Sequence, residues 1–298
     1  MECKSYSSGF FYLSFLSEFV DFEKQNFGSD NTADVTSEIR GGAGLIFFDN
    51  PDGGFLTSDM VEMASEKFDT LRADKNVRSI IFTGALDEVF IRHFSVEEII
   101  VMASALRENN KAGVTPERFA LSPLRAFWEK VDNCPKPTIA AINGVCGGGG
   151  CELALACDIR LAAKGTYTIG QMEILVGILP GAGGTVRLSR LVGPGKAMEY
   201  ILRGKTFYPD EALECGLINE VVAGDVLDAA LLIANEFDDK PPRALAAIKQ
   251  AVKASWGANT IEGVLEEGDL FSDLIATDDQ ALKMMEDYVS NGHSFEKI

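Results

Sequence analysis

"GVCGGGGCELALACDIR" runs from Gly144 to Arg160. Four glycines in a row, Gly147 to Gly150, stand before a cysteine, a carboxylate and an apolar helical run. Glycine is a poor helix former. Its use at the mouth of a helix has a physical rationale. The first N–H groups of a helix lack intrahelical acceptors, and the dipole makes that end positive. Glycine lets a ligand approach the backbone closely. The stretch therefore reads as an anion cradle, either for a phosphate or for an oxyanion.

Charge and spacing separate the two. A phosphate loop needs GxxxxGK[ST], and the residues after Gly150 are Cys151, Glu152 and Leu153. A dinucleotide GxGxxG starting at Gly144 fails at Cys146. Starting at Gly147 it fails at Glu152, and at Gly148 it fails at Leu153. A carboxylate in the first turn would repel phosphate. An oxyanion hole, built from backbone N–H groups, is the better reading.

A second carboxylate sits in similar surroundings. "GQMEILVGILPGAGGT" (Gly170–Thr185) carries Glu173 in a loop-like stretch, followed by a second glycine turn, Gly181 to Gly184. Two carboxylates beside free N–H groups suit acid/base chemistry. On spacing alone, two unconnected surface glutamates are the default reading, and a shared site is the alternative.

Around these stretches strands alternate with helices. Leu45–Asn50, Val77–Gly84, Thr138–Val145, Cys157–Ala163 and Tyr167–Gly170 read as strands. A helix starts near Ser58, a candidate N-cap, with Met60, Val61, Ala64, Phe68 and Leu71 on one face. Another spans Gly183–Gly193. This alternation predicts an α/β fold. The segment between Phe94 and Pro135 is mostly helical, and fits either substrate contacts or a structural helical hairpin. Residues 1–33 form an N-terminal extension, read as a partner-docking element or a poorly ordered tail. Residues 34–224 form the core, and 225–298 a helical region for subunit contacts or a lid.

Bulk composition excludes several classes. The 298 residues include 27 Lys and Arg against 45 Asp and Glu, a formal net charge of −18. That argues against nucleic acid or an anionic membrane as the main partner. Six cysteines without a CxxC pair, and only two histidines, argue against zinc and a disulfide scaffold. No apolar run reaches the about 20 residues of a membrane span, and no signal peptide is evident. A cytoplasmic protein with reduced cysteines is expected.

"PKPTIAAINGVCGGGGCELALACDIRLAA" and "GQMEILVGILPGAGGTVRLSRLVGPGKAMEYILRGKTFYPDEALECGLINEVV" together closely resemble the crotonase (enoyl-CoA hydratase/isomerase) superfamily. The likeness covers about Val35 to Val222 well and the helical C-terminal region more loosely. It implies a spiral of ββα units with a C-terminal α-helical region, assembled as a homotrimer or a dimer of trimers. It implies an acyl-CoA thioester substrate, with coenzyme A as part of that substrate and no separate cofactor or metal. By motif position, the N–H groups of Gly149 and Phe94 would form the oxyanion hole. Glu152 and Glu173 match the two glutamates that hold and activate water in the hydratases, whereas the isomerases generally retain only the second. The resemblance thus implies hydration of a 2-enoyl-CoA to a 3-hydroxyacyl-CoA. Other acyl-CoA activities of the class (isomerase, thioester hydrolase, C–C lyase) are the alternative, followed by a non-catalytic acyl-CoA-binding or scaffold protein.

The chain departs from the family at "RHFS" (Arg92–Ser95), where the family usually reads "AGAD". His93 replaces the glycine and Ser95 the aspartate, and Met172 stands where proline is common. His93 fits a pocket base, a contact to coenzyme A phosphates, or a packed histidine; Arg92 shares the phosphate reading. The resemblance also makes the turn Asn50–Leu56 a coenzyme A contact, with Gly53 and Phe55 as candidates. Gly148 and Gly181, in the two glycine turns, complete the candidate substrate and coenzyme A contacts.

Overall fold

Strands buried on both faces read as unbroken apolar runs, because neither face alternates with solvent. "SIIFTG" and "TIAAI" are such runs, and they form central strands of the main sheet. The computed structural model describes residues 33–108, 122–257 and 260–290. The expected N-terminal extension, apart from Ala33, lies outside the described residues.

The chain enters as an antiparallel hairpin, β1 (Asp34–Arg40) and β2 (Ala43–Asp49), followed by α1 (Ser58–Ala73). One unit then repeats. β3 (Ser79–Gly84) and β4 (Glu88–Ile91) lead into α2 (Val96–Glu108). After α3 (Pro123–Asp132), β5 (Thr138–Ile142) and β6 (Gly144–Gly147) lead into α4 (Gly149–Ala156). β7 (Ile159–Ala163) and β8 (Ile169–Gly170) lead through a 3₁₀ turn (Glu173–Val176) into α5 (Gly184–Val192). The remaining elements are α6 (Pro194–Arg203), β9 (Thr206–Phe207), α7 (Pro209–Glu214) and β10 (Glu220–Val222). Helices α8 (Val226–Asn235), α9 (Pro242–Ala254), α10 (Thr260–Thr277) and α11 (Asp279–Ser290) close the chain.

The first strand of each repeat joins a six-stranded sheet, ordered β1-β2-β3-β5-β7-β10. The second joins a four-stranded sheet, ordered β4-β6-β8-β9. Neighbours within the repeats are parallel. A single bridge, Leu56 to Phe94, ties the first turn of chain to the second layer. This is the spiral of ββα units.

Period-two alternation divides the core. Ile80, Phe82, Ala140 and Ile142 face the main core with Phe68, Phe127 and Trp128. Ile81, Ile139, Ala141 and Leu161 face the other side, where Val226, Ala230 and Ala234 of α8 cover them. The described residues form one compact unit, so α8 belongs to the same body as the strands.

Two expectations need correction. The run Thr138–Val145 is two strands in different sheets, with Asn143 at the corner. Asn143 Oδ1 accepts the Gly84 N–H at 3.0 Å, and its amide nitrogen donates to Leu86 O at 2.8 Å. The corner is therefore stitched to the equivalent corner of the preceding repeat. The N-cap of α1 is Thr57, whose hydroxyl accepts the Met60 N–H, and not Ser58. Ser58 instead binds the buried Glu98 carboxylate of α2.

The thiols of Cys134, Cys146, Cys151 and Cys157 are free and buried, and that of Cys215 is free and partly exposed. Among the described residues no helix is long and apolar enough to cross a membrane.

Candidate active site

Strand β6 runs beside β4, which brings the glycine stretch against Ile91–Phe94. The Gly147 N–H donates to Arg92 O, and the Gly148 N–H to Gly170 O, each at 3.1 Å. Gly148 then turns the chain from strand to helix with φ 47° and ψ −120°, a conformation that disfavours any residue with a side chain. Close packing explains the glycine at 150: a Cβ there would lie 2.5 Å from the Ile91 carbonyl oxygen. The Cβ position of Gly149 lies 3.6 Å from Phe94 N. The two residues expected to donate N–H groups are thus neighbours across the layer. Neither N–H has an acceptor among the described residues.

The departing segment retains one local function of the usual one. Ser95 precedes α2, and its hydroxyl accepts the Glu98 N–H at 3.2 Å, as an N-cap aspartate would. Phe94 is held in place by its neighbours: the Leu56 N–H donates to His93 O and the Ser95 N–H to Leu56 O, both at 2.8 Å. His93 Nδ1 lies 2.8 Å from Phe94 O, and its ring centroid lies 4.7 Å from that of Phe55. Arg92 Nε donates to Gly53 O at 2.6 Å, with its guanidinium 5.9 Å from the Phe55 ring. Gly53, Phe55, Arg92 and His93 therefore form one cluster. Asn50 shapes their turn by donating to Phe55 O at 2.7 Å.

Glu152 lies on the first turn of α4 and is 2% exposed. Its Oε1 accepts the N–H groups of Ala182 at 2.7 Å and Gly184 at 2.9 Å. No described residue donates to Oε2. Burial pushes the Glu152 carboxyl above the usual carboxylate range, while the Gly184 and Ala182 N–H groups and the Arg187 charge pull it back. Glu173 opens the 3₁₀ turn. Burial, and secondarily the charge of Glu152, push it up to about 7. With its nitrogen turned toward the carboxylate, the Gln171 amide donates to Glu173 Oε1 at 2.7 Å and Oε2 at 3.1 Å.

Gly148 joins the parts. A Cβ there would lie 3.3 Å from His93 Cβ and 3.5 Å from Glu173 Oε1. One neighbourhood thus contains two carboxylates with raised proton affinity and two uncommitted N–H groups. Gly181 is exposed, and nothing lies within 4 Å of where its Cβ would be. Its bearing on the site is that it precedes Ala182. Among the described residues no group of three or more His, Cys, Asp or Glu is placed to hold a metal.

A family model described as enoyl-CoA hydratase/isomerase matches residues 38–297. The chain belongs to the enoyl-CoA hydratase/isomerase family. A short-chain-enoyl-CoA hydratase from Clostridium acetobutylicum is 32% identical over 248 residues, covering 83% of this chain and 91% of that protein. The human mitochondrial methylglutaconyl-CoA hydratase is 35% identical over 230 residues, 76% of this chain and 65% of that one. The crystal structure of an enoyl-CoA hydratase from Bacillus anthracis superposes with a TM-score of 0.74 at 30% identity, covering 86% of this chain and 96% of that one.

The roles of Ala182, Gly184 and Gln171 are not legible from residue types. Backbone donors leave no residue-type signature. The glycine turn at 181–184 was the available sign for the first two.

Proposed function

We propose that this chain is an enoyl-CoA hydratase, adding water across the 2,3 double bond of a 2-enoyl-CoA thioester to give a 3-hydroxyacyl-CoA. The observation that carries the reading is the pair of carboxylates, Glu152 and Glu173, beside the uncommitted N–H groups of Gly149 and Phe94. Attack at C3 moves negative charge onto the thioester oxygen. Two N–H donors preset for that oxygen stabilise the enolate-like state, and one such donor is worth about 3–4 kcal/mol in a related oxyanion hole. Glu152 accepts a proton from water as the C3–O bond forms. Glu173, near neutrality in proton affinity, delivers a proton to C2. Burial and mutual repulsion divide the pair into base and acid. The reaction is redox-neutral, so coenzyme A enters only as part of the substrate and no resident cofactor is required. Gly53, Phe55, Arg92, His93, Gly148 and Gly181 are assigned to substrate and coenzyme A contact.

The site reading extends to assembly as a homotrimer or dimer of trimers. Apolar side chains that face solvent in the single chain support it: Ile248 and Val252 on α9, Val264, Leu265 and Phe271 on α10. Exposed apolar surface of this kind marks an interface. Sedimentation in solution at three or six times the chain mass is the expected result.

The direct test follows loss of the conjugated enoyl-thioester absorbance with crotonyl-CoA, then longer and aromatic 2-enoyl-CoAs, and identifies product by mass. A gain of one water is expected. Glu152→Gln and Glu173→Gln should each lower kcat by about 10²–10⁴-fold, the range of a general acid or base. Release of free CoA, or a shifted double bond, would replace hydration with another chemistry of the family.

A further inference from the structure

Glu152 owes its setting to a turn it does not belong to. Ala182 donates its N–H to Glu152 Oε1 at 2.7 Å, and its carbonyl accepts from Arg187 Nη1 at 2.9 Å. The same guanidinium donates through Nε to Asp132 Oδ2 at 2.9 Å. Asp132, at the end of α3, takes Lys253 of α9 on its other oxygen at 2.7 Å. Three helices thus converge on the residue that orients Glu152.

We propose that Arg187 and Asp132, braced by Lys253, are positioning residues for Glu152: they hold the Ala182–Gly184 turn so that both N–H groups fall on Oε1 and Oε2 remains for the reacting water. The proposal rests on the reading that Glu152 handles the water. Its geometry differs from that of the surface pairs. The Arg187 and Asp132 side chains are 10% and 19% exposed, whereas those of Arg203 and Glu199 are 65% and 50% exposed. A planar guanidinium can grip a carboxylate and a carbonyl at once, which an ammonium does with less directional definition. Asp132 is held below the usual carboxylate range by Lys253 and Arg187, against the opposing effect of burial, so it stays charged.

Arg187 also acts by charge. The ionisable groups that bear on Glu152 are Glu173 from the 3₁₀ turn and Arg187 from α5. Asp132 of α3 reaches it through Arg187. Of the strands packed on α4, β4 brings the exposed Glu88 and β6 the Cys146 thiol, which burial keeps protonated. Removing Arg187 therefore raises the proton affinity of Glu152, and the acid limb of kcat moves to higher pH. Removing the Asp132 charge leaves Arg187 less neutralised, so that limb does not move up.

The experiment measures kcat, KM and the pH profile of hydration for full-length Arg187→Met, Arg187→Lys and Asp132→Asn, with circular dichroism as a check on folding. Arg187→Met should lose on the order of 10–100-fold in kcat, the scale of a misplaced catalytic group, with KM within about twofold and the acid limb raised. Arg187→Lys keeps the charge and loses the planar fork: its limb should match the parent's, with kcat between the two. Asp132→Asn should lose kcat without an upward limb. Parental kcat in Arg187→Met, or the same limb in all three variants, overturns the relay. If Arg187→Met does not fold, the other two decide, and parental kcat in both overturns it. Failure of the underlying reading has a separate signature: the parent hydrates none of the 2-enoyl-CoAs, or Glu152→Gln keeps full activity, and the relay falls with it.

Discussion

Burial of Glu173, with the charge of Glu152 acting on it as a lesser cause, holds its carboxyl at about 7, well above 4.5. Such a shift carries a stability cost. Between pH 4.5 and about 7 the folded chain binds more protons at Glu173 than the unfolded chain does, so stability falls as pH rises through this window. At 1.36 kcal/mol per pH unit the full displacement corresponds to about 3 kcal/mol. Partial solvent access reduces it to about 1–2 kcal/mol. Glu173→Gln should therefore melt higher than the parent at pH 8, by about 2–4 °C per kcal/mol. The gain should vanish near pH 4.5. Equal gains at both pH values would locate the effect in packing rather than ionisation.

Gly148 makes a second prediction, in which backbone and contact are separable. Its φ of 47° with ψ −120° costs any L side chain on the order of 1–3 kcal/mol. The added methyl also meets His93 Cβ at 3.3 Å. Gly148→Ala should lower both melting temperature and kcat, because the Gly149 N–H follows directly. Removing the contact in Gly148→Ala/His93→Gly should recover only a small part of the loss. Full recovery would show that His93, and not the backbone, was the constraint.

The helical core of the site was legible because its chemistry lies in adjacent residues. Glu152 stands just past Gly150 and Cys151 of its own stretch, and Glu173 shares one short stretch with the glycine turn Gly181 to Gly184. The fold class was legible for a similar reason: strands buried on both faces are short apolar runs between helical patterns. The split at Asn143 was harder, since both Ile142 and Cys146 are buried and no break in hydropathy marks the change of sheet. The Asn143–Gly144 pair was the available turn signal. The Arg187–Asp132–Lys253 chain was not legible at all. Its members are far apart in sequence, and each alone reads there as an ordinary charge on a helix.

That ion chain makes a prediction independent of catalysis. The folded-state carboxyl of Asp132 titrates below its ordinary value of 3.8. Its contribution to stability is therefore complete above that value, and is lost only as pH falls through the lower folded-state one. Breaking a fully buried pair costs about 3–5 kcal/mol; partial exposure brings the expectation for Asp132→Asn to about 1–3 kcal/mol. Urea unfolding should show that deficit at pH 7 and again at pH 5. A deficit that shrinks between pH 7 and pH 5 would contradict the assigned ionisation.

Phe55 tests the assignment of the first turn to coenzyme A. Its ring has His93 at 4.7 Å between centroids and the Arg92 guanidinium at 5.9 Å. Both partners come from the segment that ends at Phe94. The backbone of that segment has its own ties, from Leu56 to His93 and from Arg92 to Gly54. Truncating the ring should therefore leave the Phe94 N–H in place while freeing two side chains at the proposed coenzyme A contact. Loss of binding shared by ground state and transition state raises KM and leaves kcat unchanged. Phe55→Ala is accordingly expected to raise KM for an enoyl-CoA by about tenfold, roughly the 1.4 kcal/mol of a lost aromatic contact, with kcat within about twofold. If kcat falls instead and KM holds, Phe55 acts on the oxyanion hole through His93, and the coenzyme A contact belongs to other residues of the turn.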